Sequence, residues 1–297
     1  MRAYLEAFMK EFDYPTDDAD FLLSAYDTVV ADASAKAVFD GLIEAYEASL
    51  AIDYRDALSK AEAAGKSVGV HPYTAGLLLF ICFSRHLKDV YAERGIAEQI
   101  YHDSMLDLRY KLKECKLVKN TVGSFVAWWF PGFFNMTRFA LGRLQFEIVT
   151  YKGEDYEKQG RILKKGDRVI NVHIPRSETP LTKEATDASY AQAAEFFADA
   201  LLSRQVVFVC DSWLLLADTL EVFPKHTNTY RFIHEYDVVK NSYSPEGRYG
   251  DAWRLFNMDY TGNSEDYPEN TCMCRAYKDY LRRGGRGGSG FGILMYG

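Results

Sequence analysis

Two groups of polar side chains stand where apolar runs end, and both groups carry chemistry. His173 follows the β-branched run VINV and precedes Ile-Pro. The run QVVFV ends in Cys210, Asp211, Ser212 and Trp213. An imidazole, with an ordinary pKa of about 6.5, suits general base catalysis near neutral pH. A ring hydrogen bond to a backbone carbonyl, which would only fix the turn, explains His173 equally well.

The segment between these runs must position both groups. Residues Thr182–Leu202 are alanine-rich and predict a helix, so the stretch Val169–Trp213 is predicted as a strand–helix–strand unit. Such units bind ligands at the carboxyl ends of their strands. We therefore expect His173 and the group at 210–213 to face one crevice.

A covalent mechanism would use Cys210 or Ser212 as a nucleophile with His173 as its base, in a hydrolase or transferase. No G-x-S-x-G motif surrounds either residue. Strand alternation also sends both side chains to the face opposite Asp211. The structural interpretation is a buried Cys210 and a Ser212 that caps the following helix.

Composition sets the class of protein. A chain of 297 residues has room for two domains, and its net charge of −7 argues against nucleic-acid binding. Five cysteines without framework spacing favour a reducing, cytoplasmic setting. The N-terminus predicts an amphipathic helix and no signal peptide. The most apolar segment, Gly123–Phe134, is shorter than the roughly 20 residues of a membrane span, so no membrane partner is expected.

Three other motifs predict structural roles. Cys272 and Cys274 have no second ligand pair at zinc spacing, so we predict no metal site. The sequence RRGGRGG at 282–288 follows a predicted helix and is interpreted as a short flexible loop, although phosphate-binding loops are also glycine-rich. A basic cluster is interpreted as a solvated helix face, with a phosphate site as the alternative: Arg275, Lys278, Arg282, Arg283 and Arg286.

The chain divides into a predicted helical bundle at 1–122, an aromatic inter-domain segment at 123–142, and a mixed α+β domain at 143–297. Apolar periodicity predicts these bundle helices: Met1–Phe12, Asp17–Ala33, Ala35–Lys60, one opening at His71-Pro72, and Glu98–Lys116. The aromatic residues of the middle segment predict an interface core, with a pocket wall as the alternative.

Period-two alternation predicts a strand at Arg143–Lys152 that forms an antiparallel hairpin, through a long charged loop, with the strand ending at His173. Further strands are predicted at Thr229–Lys240, Ala252–Met258 and the terminal FGILMY, with helices at Leu214–Leu220 and Pro268–Arg283. The predicted fold class is therefore α+β.

Several short motifs in the second half resemble a family of bacterial two-domain proteins. The motifs are HIP at 173–175, PLT at 180–182, Ala188-Ser189, Phe196-Phe197, Cys210, SWLL at 212–215, Asn228 and Phe232, with weaker echoes in YPENTCMCRA and LRRGG. The family pairs a helical N-terminal domain with a GNAT-like C-terminal acyltransferase domain.

The resemblance implies acyl transfer from an acyl-coenzyme A donor to an unidentified small-molecule or peptide amine. It assigns the donor pyrophosphate to the loop Pro175–Leu181, with these cofactor-binding residues: Arg176, Ser177 and the N-cap Thr182. His173 is the candidate base and Asp211 the alternative. The acceptor side would be lined by Ser212, Trp213 and Asn228.

The sequence departs from that family in two places. The loop Pro175–Leu181 lacks the glycines of the Q/R-x-x-G-x-G/A motif, and Asp211 stands where the family more often carries histidine. A non-catalytic ligand-binding module on the same GNAT-like fold is therefore the alternative function.

Overall fold

The computed structural model describes residues 1–201 and 205–297. These residues form two compact units, Met1–Ala140 and Leu141–Gly297. The first is helical and the second contains a mixed sheet with helices, which confirms the predicted α+β class. The predicted boundaries of the helical bundle, the aromatic segment and the α+β domain stay predictions, because a compact unit is not always a domain that folds on its own.

The N-terminal unit contains six long helices and one short helix. They are α1 (Arg2–Glu11), α2 (Thr16–Ala31), α3 (Ala33–Ala48), α4 (Tyr54–Ser67), α5 (Pro72–Glu93), α6 (Glu98–Lys119) and α7 (Pro131–Phe134). The single helix predicted at Ala35–Lys60 is wrong. The chain breaks after Ala48, and Asp53 accepts hydrogen bonds from the amides of Arg55 and Asp56 to begin α4.

Helix α5 is the core of this unit. Its residues 74–84 are all buried, and His71 caps its N-terminus with proline in the first turn, as the sequence predicts. Phe80 packs against Phe130 and Phe134, with ring centroids 5.2 and 4.9 Å apart. Two residues of the aromatic segment thus belong to the core of the N-terminal unit.

The described residues contain eight strands. They are β1 (Arg138–Leu141), β2 (Leu144–Thr150), β3 (Tyr156–Lys158), β4 (Arg161–Leu163), β5 (Arg168–His173), β6 (Val206–Ser212), β7 (Asp237–Tyr243) and β8 (Gly288–Tyr296). Within the C-terminal unit the sheet order is β2, β5, β6, β8, β7. Strands β5 and β6 are parallel and the other neighbours are antiparallel. The predicted β2–β5 hairpin is confirmed, and its long loop contains the small hairpin β3–β4.

In the part of the C-terminal unit that the structure describes there are four α-helices: α8 (Lys183–Phe196), α9 (Asn228–Ile233), α10 (Ala252–Phe256) and α11 (Cys272–Arg282). The unit β5–α8–β6 confirms the predicted strand–helix–strand arrangement. Leu202, the predicted last residue of its helix, lies outside the described residues. Helix α8 covers one face of the sheet, where Tyr190 contacts Phe208 with ring centroids 4.7 Å apart.

One strand prediction is wrong in part and another is wrong throughout. The segment Thr229–Lys240 begins as helix α9, because Thr227 accepts a hydrogen bond from the amide of Tyr230 and caps it, and its last residues belong to strand β7. The segment Ala252–Met258 is helix α10. The helix predicted at Leu214–Leu220 consists of two 3₁₀ turns. β-branched and aromatic residues favour strands only weakly, and packing overrides that preference here.

The opposite face of the sheet carries a second core. Its buried residues are Tyr151, Leu163, Val169, Val207, Val209 and Ile293. Leu163 belongs to the hairpin β3–β4, which therefore packs on this face. Among the residues that the structure describes, no helix combines the length and apolar character needed to cross a membrane.

Candidate functional site

The carboxyl ends of β5 and β6 form the centre of the candidate site. The parallel ladder pairs Ile170 with Phe208 and Asn171 with Val209, whereas the strands continue to His173 and Ser212. Within the described chain the ladder holds these two pairs, so the strands part before they end. Both strands continue past this ladder, β5 to His173 and β6 through Asp211 to Ser212. The two predicted catalytic residues thus lie at the carboxyl ends of neighbouring strands.

His173 has a carboxylate partner from the neighbouring strand. Its Nε2 lies 2.7 Å from Oε1 of Glu147 on β2. Asn171 places Nδ2 3.1 Å from the same oxygen and 3.2 Å from His173 Nε2. The imidazole and carboxylate side chains are only 20% and 18% exposed. Side chains therefore hold the ring at Nε2. The alternative interpretation, a hydrogen bond from the ring to a backbone carbonyl, does not describe this nitrogen.

The loop Pro175–Leu181 is held by arginines from outside it. Arg143 donates from Nη1 to the carbonyl of Pro175 at 3.0 Å and from Nε to that of Thr179 at 2.9 Å. The predicted cofactor residue Arg176 donates to the side-chain oxygen of Asn257. Ser177 is half-buried and its hydroxyl contacts Thr179. The loop is thus ordered by contacts with Arg143 and Asn257 and by hydrogen bonds of its own, without glycine.

Thr182 caps α8 as predicted, since its Oγ1 accepts a hydrogen bond from the amide of Ala185 at 3.3 Å. On α9, Arg231 donates to the carbonyl of Leu181 and to the hydroxyl of Thr186, both at 3.1 Å. These contacts fix the helix N-terminus, where amide donors and the helix dipole favour anions.

Cys210 and Ser212 point away from Asp211, as the alternation predicts. Cys210 is 1% exposed, and burial raises the pKa of its thiol to about 12. A thiol that stays protonated at neutral pH is a poor nucleophile. Ser212 accepts a hydrogen bond from the amide of Leu214 at 3.2 Å, which confirms the predicted cap.

The two other predicted acceptor-side residues lie in different surroundings. Trp213 packs edge-on against three rings, Phe223, Tyr249 and Tyr277, at centroid distances of 5.9, 6.0 and 5.8 Å. Asn228 is exposed and begins α9, one turn before Arg231. Trp213 therefore supports an aromatic cluster, while Asn228 is open to solvent.

The basic C-terminal residues have structural partners. Arg282 donates to both oxygens of Glu265, at 2.7 and 2.6 Å, and Lys278 donates to the carbonyl of Tyr267 at 2.7 Å. Arg275 and Arg283 donate to backbone carbonyls, and Arg286 stacks on Tyr243. These contacts favour a structural role over a phosphate site.

The glycine-rich stretch is partly a strand, which corrects the prediction of a flexible loop. Strand β8 begins at Gly288, and Gly290 lies against the backbone of the 3₁₀ turn at Trp213–Leu215. Across the described ranges, no three His, Cys, Asp or Glu side chains are grouped so that they could hold a metal ion.

Sequence reasoning missed Glu147, Asn171 and Arg143. Asn171 stands two residues before His173 in VINVH, so the strand period places both on one face. Glu147 is the charged member of the alternating run LQFEIVT. Alternation in the sequence could have singled out both residues. The pairing of Glu147 with Asn171, however, depends on the strand register, which the sequence alone does not give.

The fold and the site together define a GNAT-like α+β protein with an added helical unit. Residues 3–136 match the family model of the N-acyltransferase N-terminal domain, and residues 139–294 match that of the GNAT-like C-terminal domain. The chain belongs to this two-domain acyltransferase-like family. No curated protein matches the chain.

Solved acyltransferases have the same fold. One, in complex with decanoyl-CoA and teicoplanin, is 20% identical with a TM-score of 0.74, over 97% of this chain and 86% of that chain. An acyltransferase in complex with CoA and 10C-teicoplanin is 19% identical with a TM-score of 0.74, over the same shares of the two chains. An acyltransferase mutant in complex with octanoyl-CoA is 18% identical with a TM-score of 0.73, over 98% of this chain and 87% of that chain. At such low sequence identities, the similarity to these structures shows a shared fold and nothing more.

Proposed function

We propose that this protein is an N-acyltransferase that moves an acyl group from acyl-coenzyme A to an amine on an unidentified small-molecule or peptide acceptor. The observation that carries the proposal is the parting of β5 and β6, with His173 and Asp211 at the carboxyl ends of these two strands. Membership of an acyltransferase-like family supports it. So does the fold shared with acyltransferases bound to acyl-CoA.

The donor is proposed to enter where the strands part. Its pantetheine arm would lie between β5 and β6, and its pyrophosphate would meet the start of α8. There the guanidinium of Arg176, the half-buried hydroxyl of Ser177 and the amides after Thr182 offer donors to an anion. Bulky side chains replace glycines in this loop, so contacts from side chains are proposed to replace close backbone approach.

The proposed reaction needs no covalent enzyme intermediate. The acceptor nitrogen attacks the thioester carbonyl, so that an N–C bond forms and the C–S bond breaks. The proton leaving the nitrogen passes to His173, and the departing coenzyme A thiolate takes up a proton to become the free thiol. Asp211 is the alternative base, because it is exposed near the end of the neighbouring strand β6. Holding both reactants in place supplies much of the rate increase.

The acceptor is proposed to bind beside the ends of β5 and β6. Ser212 and Trp213 immediately follow Asp211, and Asn228 offers an exposed amide on α9. Since Ser212 caps a turn and Trp213 packs on aromatic rings, their proposed role is to shape this side of the site. Direct hydrogen bonding would then fall mainly to Asn228.

A non-catalytic binding module is the second candidate, and one observation favours it. The loop Pro175–Leu181 contains no glycine, whereas the phosphate-binding loops of this fold use glycine for close approach. Under this proposal the crevice binds a ligand but transfers nothing.

Titration with coenzyme A and acyl-coenzyme A esters, read by thermal shift, separates the two functions. A ligand at about a hundred times its Kd adds roughly 2.7 kcal/mol of stability. Binding followed by turnover with an amine panel, and loss of turnover in His173→Gln, would support the transferase. Turnover that survives His173→Gln but not Asp211→Asn would assign the base to Asp211. Absence of a shift with every ester would contradict the proposed function and favour the binding module.

A further inference from the structure

We infer that Lys240 selects the acceptor, and that the amine used by this protein carries an anionic group at its other end. This inference rests on the proposed function, because it names the class of acceptor for the same reaction. Lys240 lies on β7, Asp211 lies on β6, and Phe291 lies between them on β8. These three residues are called the acceptor strip below.

The strand register places the acceptor strip in one row across the sheet. Asp211 is paired with Phe291, and Phe291 is paired with Lys240. Directly paired residues share a face of a sheet, so the three side chains project from the same face. Since neighbouring strands lie about 4.8 Å apart, the carboxylate, the ring and the ammonium group form a row whose outer strands are about 9.5 Å apart.

The acceptor strip lies at the end of the sheet where the reaction is proposed to occur. Val209, which is paired with Ile293 in the row before it, belongs to the apolar core on this face. Asp211 comes one residue before the end of β6, beside the opening proposed for the pantetheine arm. An amine near Asp211 would therefore adjoin the thioester, and the rest of the acceptor would extend over Phe291 toward Lys240.

The two ends of the acceptor strip carry opposite charges. Asp211 and Lys240 are both exposed, and neither side chain makes a hydrogen bond or an ion pair with another described residue. An exposed carboxylate attracts an ammonium group, and an exposed ammonium group attracts an anion. The strip is thus complementary in charge to a molecule that has an amine at one end and an anion at the other.

Phe291 supplies an apolar floor between the two charges. Its ring is half-buried and stacks on that of Tyr151, with ring centroids 6.2 Å apart. Its chain neighbours are Gly290 and Gly292, where an added Cβ would lie 1.8 and 2.8 Å from atoms packed on the opposite face. The backbone is therefore closely packed from behind, and the ring is the large side chain on the open face. We expect the middle of the acceptor to be apolar.

A structural role for Lys240 is the alternative. Among the described strands β7 lies at the edge of the sheet, its register shifts between Val238 and Lys240, and residues 239–243 are exposed. Bulges and lysine side chains both keep edge strands from pairing with other chains. Under this alternative, Lys240→Met would promote association of the protein and leave its preference among amines unchanged.

Three amines of similar length test the inference. Hexylamine, ω-aminohexanoate and hexanediamine differ in the far group, which is neutral, anionic or cationic. We expect the wild type to use ω-aminohexanoate with a kcat/KM about tenfold above that for hexylamine, the size expected for one charge-assisted hydrogen bond. Lys240→Met should reduce this ratio to about one, and Lys240→Arg should retain the preference. Lys240→Glu should transfer the preference to hexanediamine.

Lys165→Met is the matched control, because Lys165 is an exposed lysine in the turn before β5, at the other end of that strand. This variant should keep the wild-type ratio. Size-exclusion chromatography of each variant shows whether the protein associates. A wild-type ratio of about one, or a ratio that Lys240→Met leaves unchanged, would overturn the inference.

The results also separate this inference from the proposed function. If amines are acylated without preference for the anionic one, the transferase stands and the role of Lys240 falls. If no amine is acylated with any donor, the transferase proposal fails, and calorimetric titration with ω-aminohexanoate alone still reports on the acceptor strip. Binding that Lys240→Met abolishes would support the strip as a binding site, whereas no binding, or equal binding by wild type and Lys240→Met, would contradict it.

Discussion

The guanidinium of Arg143 spans the loop that follows His173, with Nη1 3.0 Å from the carbonyl oxygen of Pro175. Its Nε reaches Thr179 at the other end of the loop, at 2.9 Å. The backbone amide of Arg143 donates to the hydroxyl of Ser189 on α8 at 2.7 Å. One residue of the turn before β2 thus links the proposed pyrophosphate loop to the helix that follows it.

We therefore predict that Arg143→Ala raises the KM for acyl-coenzyme A by about tenfold, the equivalent of about 1.4 kcal/mol, because the loop loses two charge-assisted contacts. Thermal unfolding should move down by about 2–4 °C for each kcal/mol lost. Arg168→Ala is the matched control, since Arg168 donates to one exposed carbonyl, that of Ala200, at the other end of β5. Equal KM values for wild type and Arg143→Ala would contradict the role of the loop.

Cys210 should be inert in the folded protein. Burial raises the pKa of its thiol to about 12, and likewise raises that of Cys82 to about 12 and that of Cys115 to about 11. Below these values the reactive thiolate is scarce, so iodoacetamide at pH 8 should label none of the three before unfolding. Cys272, which is partly exposed, is the internal control. Native labelling of Cys210, abolished in His173→Ala, would instead support a covalent mechanism.

Local signals were sufficient for the elements that frame the site. A proline in the first turn fixed the start of α5, Thr182 fixed the start of α8, and alternation located β2. The same reasoning failed at the start of the strand predicted at Thr229–Lys240, where the β-favouring residues of α9 form a helix that packs through Arg231 onto Leu181. That contact joins residues 50 positions apart, so no local pattern contains it.

The candidate site was predictable in part for the same reason. His173 and Asp211 stand at strand ends, which is a feature of sequence. Glu147 was not identified, because its contact with His173 depends on the pairing of β2 with β5. Polar residues inside an alternating run usually face solvent, and only the register shows that this carboxylate meets an imidazole.

Asp237 should link the hairpin β3–β4 to strand β7 in a pH-dependent way. It accepts hydrogen bonds from Lys158 and from Tyr156, the latter at 2.5 Å. Partial burial alone would raise the pKa of Asp237, but these hydrogen bonds and the charge of Lys158 together hold it below its ordinary value. A lowered carboxyl pKa stabilises the fold above the unfolded-state pKa of about 3.9, and this contribution is lost as the pH falls through the folded-state pKa.

Asp237→Asn should therefore lower the free energy of unfolding by about 0.5–1 kcal/mol at pH 7, a small effect because both partners are about two-fifths exposed. The difference from wild type should stay constant down to about pH 5 and shrink below about pH 4. Urea denaturation at several pH values measures it. Lys158→Met should reduce the same acid dependence, and a difference that persists unchanged to about pH 2 would contradict the assignment.

Gly290 should be the glycine least tolerant of a side chain. A Cβ built there would lie 1.8 Å from the carbonyl oxygen of Leu215, which is backbone and cannot rotate away. The strand end of β6 and the turn after Ser212 depend on this close approach, since Ser212 pairs with Gly290. Gly290→Ala should cost about 3 kcal/mol or more, at the upper end of overpacking effects. It should also lower transfer activity, because the displaced turn carries Trp213.

Gly250→Ala is the matched control, because an added Cβ there meets nothing within 4 Å. Its free energy of unfolding should stay within about 0.5 kcal/mol of wild type. Denaturation curves of the two variants, followed by circular dichroism, measure the contrast directly. If Gly290→Ala were as stable as Gly250→Ala, a Cβ at position 290 could not lie within 1.8 Å of the carbonyl oxygen of Leu215. The glycines at 287–290 would then be explained by flexibility, and the edge that carries Asp211 would be less rigid than the packing implies.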